Sequence, residues 1–291
     1  MPEPPVMLEV QHSTAYHYAE PVLQGRNDAW LLPRETPTQK VCDARVGIEP
    51  EPESVSRRTD YFGNQVISFE INDLHQDLLV IARSRVEITP RDLPTPDDTP
   101  VWETVRALSE PVLGAEQADA AIYLFSSQLV RRNAAFLSYM ERSFTPARPV
   151  FAAAADLSSR IFRDFRYVPG ATKVDTAPEE VFKHRRGVCQ DFAHFLIGCL
   201  RTAGVPARYV SGYLRSRPGF VGAEASHAWV SFYCPGFGWI DLDPTNNVIP
   251  SRSHVVLSWG RDYQDVPPIR GVALGGGDHE VDVSVGVTEV T

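Results

Sequence analysis

Four prolines crowd into the stretch Thr89-Pro90-Arg91-Asp92-Leu93-Pro94-Thr95-Pro96-Asp97-Asp98-Thr99-Pro100. Each ring removes a backbone donor and fixes φ, so this segment can neither prolong a sheet nor open a helix early. The hydrophobic period changes across it. Before it, apolar residues alternate in short runs, and after it they recur at helical spacing. The expected organisation is therefore an antiparallel, sandwich-like β-domain over residues 1–90, a Pro-rich linker over 91–100, and a second domain over 101–291.

In the first part, Leu8 to Tyr18, Ala29 to Leu32, Lys40 to Ile48, Ser54 to Tyr61, Val66 to Ile71 and Leu78 to Ile88 read as strands. Glu49-Pro50-Glu51-Pro52 and Phe62-Gly63-Asn64 are hairpin signals between them. In the second part, Val101 to Leu108, Glu116 to Leu129, Val150 to Phe165 and Pro178 to His184 carry helical periodicity. A further helix, Cys189 to Ala203, has Phe192, Phe195, Leu196, Cys199 and Leu200 on one side and stops at Gly204 and Pro206. Strands follow at Ala207 to Leu214, His227 to Tyr233, Gly238 to Leu242, Val255 to Trp259 and Val281 to Val290, and Gly275-Gly276-Gly277 reads as a flexible turn rather than a phosphate loop. The fold class is α+β, helices first and then an antiparallel sheet.

Composition excludes several functions. The 291 residues carry a formal net charge of −9 and no basic run longer than a pair, which argues against nucleic acid as a partner. The first residues lack a basic segment followed by an apolar one, and nowhere do eighteen apolar residues run together, so the expectation is a cytoplasmic protein with no membrane partner. Cys42, Cys189, Cys199 and Cys234 form no CxxC pair, hence neither a disulfide framework nor a thiolate zinc site is expected. The acidic pairs Asp97-Asp98 and Glu179-Glu180 lack the spaced oxygens of a calcium loop and read as solvated faces. No cofactor or metal is called for, and oligomeric state is not legible.

The chemistry concentrates around Cys189. It follows Gly187-Val188 at the head of a predicted helix, where unpaired N–H groups and the positive dipole end favour a thiolate. Downstream come Ser226-His227-Ala228-Trp229-Val230 and Gly238-Trp239-Ile240-Asp241-Leu242-Asp243-Pro244-Thr245. Thiol, imidazole and carboxylate in that order suggest a nucleophile, a base and an orienter. Asp241 and Asp243 share one face of a strand, so periodicity leaves both open as the acid. Cys42, Cys199 and Cys234 read as small core residues, His194 as structural, and Asp191 as an acid that complements the helix dipole.

Gly187-Val188-Cys189-Gln190-Asp191-Phe192-Ala193-His194, Ala203-Gly204-Val205-Pro206-Ala207-Arg208, Ser226 to Val230 and Trp239 to Thr245 together resemble the core of bacterial transglutaminase-like proteins. Tyr16 to Val22, Leu32-Pro33-Arg34 and Asp60 to Asn64 resemble the β-domain that often precedes that core. The resemblance implies a papain-like core with a Cys189-His227-Asp243 triad, its Asp-Pro-Thr motif selecting Asp243. It implies acyl transfer through a thioester on Cys189, with the Cys189 backbone N–H holding part of the oxyanion. It also points to Tyr167, Gln190, Arg261 and Tyr263 as further pocket or oxyanion positions. The implied partners are a protein or peptide amide donor and an amine acceptor. The rival readings are a peptidase or amidase that hydrolyses the same thioester, and a binding protein that keeps the triad without using it.

Overall fold

The computed structural model describes residues 4–108, 119–131 and 133–290. Its first five strands are β1 (Val6–Ala29), β2 (Gln39–Glu49), β3 (Ser54–Thr59), β4 (Gln65–Ile71) and β5 (His75–Ile88). β1 is twice the length that alternation predicts, because it changes partners midway. Its first half lies between β5 and β13 (His279–Val290), and its second half lies between β4 and β12 (Ile269–Gly275). The register against β5 breaks between His17 and Val22, which is where Pro21 sits and a lost donor costs least. The polar stretch from Ala19 to Asp28 has little strand character of its own and is held extended from both sides. This sheet packs on a core that includes Leu31, Ile67, Phe69, Ile71, Leu78 and Val80.

β12 and β13 correct the expected domain boundary. Residues 101–291 do not form one unit, since the last two strands hydrogen-bond to β1 in the N-terminal sheet. Gly275, Gly276 and Gly277, all at positive φ, make the turn between them. Such long-range pairing leaves no local signature, so composition could not place these strands.

The remaining elements build the second layer system. Helices α1 (Trp102–Leu108), α2 (Ala134–Met140), α3 (Val150–Asp164), α4 (Pro178–His184) and α5 (Cys189–Ala203), with the short parallel pair β6 (Arg166–Tyr167) and β7 (Arg186–Gly187), accompany a sheet of order β10-β9-β8-β11, formed by β8 (Ala207–Leu214), β9 (His227–Cys234), β10 (Gly238–Leu242) and β11 (His254–Gly260). α5 is buried nearly all round. Phe192, Phe195, Leu196, Cys199 and Leu200 join Val230, Phe232, Ile240 and Leu242 of the sheet in one core. It ends at Gly204, φ +84°, in the left-handed conformation that glycine adopts without strain. Of the expected helix from Glu116 to Leu129, residues 116–118 lie outside the described residues, 119–121 are helical and lead into a short turn at Ile122–Leu124, and Phe125 to Leu129 are not helical. α2 is not among the helices that periodicity predicts, and its start is marked instead by Asn133, whose side chain accepts from Phe136 N at 3.2 Å. Among the described residues no helix is long and apolar enough to cross a membrane. Cys199 and Cys234 are buried, but Cys42 is exposed on β2, contrary to its core reading, because β2 is the end strand of its sheet.

The two layer systems meet along the free edge of β11. Gln39 Nε2 donates to Val256 O and its Oε1 accepts from Val256 N, both at 2.8 Å. Asn64, wholly buried, repeats the device one step along: Nδ2 donates to Trp259 O at 2.9 Å and Oδ1 accepts from Trp259 N at 3.0 Å. Two side-chain amides thus stand in for the missing neighbouring strand. Replacing Asn64 with alanine orphans two buried backbone groups at once, and the expected loss is about 3 kcal/mol of unfolding free energy, read from urea denaturation. An unchanged midpoint would mean that water serves this edge equally well.

The Pro-rich linker is seated rather than loose. Its Thr99 hydroxyl accepts from Phe151 N at 3.2 Å and donates to Pro96 O at 2.9 Å, and Leu93 packs against the α5 core.

Candidate active site

The head of α5 is shaped by Asp191. Its Oδ2 accepts from Val188 N and from Thr172 Oγ1, each at 2.7 Å, which satisfies a donor left over at the helix start. A Cβ on Gly187 would lie 2.5 Å from that same oxygen, so only glycine fits before the turn. Cys189 begins the helix there, buried at 8% exposure.

His227 opens β9 and is fully buried. Its Nε2 lies 2.9 Å from Asp243 Oδ2. Burial opposes charge on the ring, but the Asp243 carboxylate and then the Cys189 thiol outweigh it and raise the pKa of His227. Among the described residues Nδ1 is buried without a nitrogen or oxygen partner, leaving it available to exchange a proton with the thiol.

Asp243 stands just beyond β10 and is held from several directions. Oδ1 accepts from Thr245 N at 2.9 Å and Asn246 N at 3.2 Å, and Oδ2 accepts from Asn246 Nδ2 at 2.9 Å. His254 of β11 adds a second imidazole, Nε2 at 3.2 Å from Oδ2. Burial works against the carboxylate, yet His227 and His254 hold its pKa well below the usual range. The ligand atoms of His227, Asp243 and His254 lie within 4.8 Å of one another, a spacing that their shared hydrogen bonds already account for.

The structure separates the two aspartates that periodicity leaves open. Asp241 Oδ2 accepts from Trp229 Nε1 at 3.1 Å, one step along the sheet from the imidazole, whereas Asp243 meets His227. Tyr167 stands near the imidazole, its Oη and His227 Nδ1 both close to Gly222. Burial raises its phenol to about 12, with further contributions from Cys189 and Glu224, so the hydroxyl keeps its proton. Gln190 and Arg261 are engaged elsewhere: Gln190 Nε2 donates to Val174 O at 2.8 Å, and Arg261 makes two 2.9 Å bonds to Asp265. Tyr263 stands behind Tyr209, ring centroids 6.4 Å apart, and its N–H donates to His194 Nε2 at 3.2 Å. His194 is therefore a neutral acceptor deep in the core, its pKa lowered to about 4 by burial.

Two contributors escape sequence reasoning, His254 and Asn246. Asn246 follows the Asp-Pro-Thr turn directly, which is the one local hint of its role. It also accepts from Val221 N at 2.9 Å, tying the β8–β9 loop over the site. That loop brings Gly222, φ +79°, against the imidazole: a Cβ there would lie 3.1 Å from His227 Nδ1 and 3.2 Å from Tyr167 Oη. Gly222→Val is expected to slow iodoacetamide alkylation of Cys189 at least about tenfold, through crowding of the thiol's partner and backbone strain. An unchanged rate would show that the loop stands clear of the thiol.

Comparison with known proteins follows the same division. The family model for the transglutaminase-like superfamily matches residues 138–244, and that for the bacterial transglutaminase-like N-terminal region matches residues 8–87. An uncharacterized protein of Mycobacterium tuberculosis is 35% identical over 291 residues, covering 96% of this chain and 91% of its own length. A protein-glutamine gamma-glutamyltransferase of Pseudomonas aeruginosa is 35% identical over 114 residues, 36% of this chain and 17% of that enzyme. The crystal structure of a Cytophaga hutchinsonii protein, named as a candidate cysteine protease, superposes with a TM-score of 0.81 at 18% identity, covering 100% of this chain and 93% of that one. At that identity the likeness speaks for the fold.

Proposed function

The chain belongs to the transglutaminase-like superfamily, and from that premise we propose that it is a cysteine-dependent acyl-transfer enzyme acting on a carboxamide. One observation carries the reading: a buried His227–Asp243 pair whose free ring nitrogen serves a thiol at the head of α5. In the proposed reaction Cys189 Sγ attacks the carboxamide carbon as a thiolate, its proton already held on His227 Nδ1 by the raised pKa of that ring. Asp243 holds the ring in the tautomer that leaves Nδ1 open and stabilises the imidazolium. The oxyanion is met by the Cys189 backbone N–H and by the Tyr167 hydroxyl, which burial keeps protonated near the imidazole.

Collapse of the tetrahedral adduct breaks the C–N bond, and the proton on His227 leaves with ammonia. A primary amine then attacks the thioester, gives its proton to His227, and releases an amide as Sγ leaves as the thiolate. Water attacking in place of the amine would give the acid, the hydrolytic form of the same chemistry.

The test supplies a glutamine-containing peptide with and without a primary amine. The expected result is an acyl mass on Cys189 and an amide product that depends on the amine. Acid alone would reassign the enzyme to the hydrolases. No adduct on Cys189 under either condition would refute the proposal.

A further inference from the structure

A cavity of about 470 Å³ lies between the β11 sheet and the N-terminal layer, behind Trp229 as seen from His227. Arg208, Val210, Trp229, Trp239 and Asp241 line it from one side of the sheet, and neither Cys189 nor His227 does. Its size falls in the range of small-molecule pockets.

The unusual group in its wall is Arg208. The guanidinium carbon lies 4.1 Å from the Trp239 ring centre and 3.6 Å from that of Trp259. Arg34 lies 3.3 Å from the same Trp259 centre, so the two guanidinium groups must occupy opposite faces of that indole. Arg208 is held flat by these rings, yet among the described residues it makes no ion pair within 4 Å, and its buried Nε has no hydrogen-bond partner. Burial lowers its pKa to about 10 against the pull of Asp241, as expected of a charge short of partners. Such a planar fork of unpaired donors matches a carboxylate.

Asp241 lines the same space. Its Oδ2 takes the Trp229 N–H, while Oδ1 accepts nothing among the described residues. One wall therefore offers a cation and an anion side by side, with indole and aliphatic surface from Trp229, Trp239, Ile88 and Leu93 around them.

We propose that this cavity binds a small zwitterion with an apolar side chain, of the amino-acid class, its carboxylate on Arg208 and its ammonium group on Asp241. Cys189, His227 and Asp243 do not line it, and it meets the acyl-transfer site through His254, whose Nε2 lies 3.2 Å from Asp243 Oδ2.

Calorimetric titration of the full chain with L-tryptophan, indole-3-propionate and tryptamine tests the assignment. L-tryptophan is expected to bind saturably and more tightly than either compound lacking one charge. Arg208→Gln should weaken L-tryptophan at least tenfold. Asp241→Asn should weaken L-tryptophan and leave indole-3-propionate unchanged or tighter, a contrast that general misfolding cannot produce. Absence of saturable L-tryptophan binding to the wild-type protein overturns the proposal. Equal affinity for all three compounds, or binding indifferent to both substitutions, does so as well.

Discussion

Cys189→Ala is expected to abolish formation of the acyl-enzyme and to lower amide turnover by at least about a thousandfold, because no other group can form the thioester. The fold should survive. The thiol is small, sits at the first position of α5, and has the rest of that helix to anchor it through Phe192, Phe195 and Leu196. Intact-protein mass spectrometry with a glutamine peptide reads the adduct, and a thermal melt checks the structure. Turnover retained in a folded Cys189→Ala protein would remove the thiol from the mechanism. Cys199 offers no substitute, since burial pushes its pKa well up and its Sγ lies 3.7 Å from Phe136 O in the interior.

The second large effect is expected at Asp243→Asn. The variant keeps the shape but loses the charge that His227 Nε2 and His254 Nε2 share at 2.9 and 3.2 Å. An amide NH₂ facing Nε2 turns the imidazole to the tautomer protonated on Nδ1, which cannot take the thiol proton. A fall in turnover of about 10³ to 10⁴ follows from the same loss in a serine triad.

The pair also sets a pH window for stability. Asp243 has a depressed folded pKa, so its contribution is full above the unfolded value near about 3.9 and fades as pH falls below it. His227 has a raised folded pKa, so its contribution is full below about 6.5 and fades as pH rises. Urea midpoints measured from about pH 4 to pH 9 should therefore slope less in Asp243→Asn than in the wild type. A wild-type slope preserved in the variant would mean that other groups govern that range.

Much of the site was legible along the chain. A thiol after Gly187 at a helix head, a histidine on a strand and an Asp-Pro turn are each set by neighbours within a few residues. Turn chemistry, capping and hydrophobic period act at that range, so they leave local marks. The choice of Asp243 over Asp241 was not local. The two are equivalent until the pairing of β9 with β10 sets Asp241 opposite Ser231, within reach of the Trp229 N–H, and leaves Asp243, just past the strand, beside His227.

The sequence by itself determined the helix that carries Cys189, the strand that carries His227, the strand that ends just before Asp243, and the break in period at the proline segment, because these rest on backbone preferences and short-range spacing. Only the tertiary structure decided that β12 and β13 return to β1, that Gln39 and Asn64 close the edge of β11, and that His254 and Asn246 reach Asp243. Apart from Asn246 and His254, which lie three and eleven positions from Asp243, those contacts join residues roughly two hundred or more positions apart. They arise from buried backbone and carboxylate groups that must find partners, whichever part of the chain supplies them.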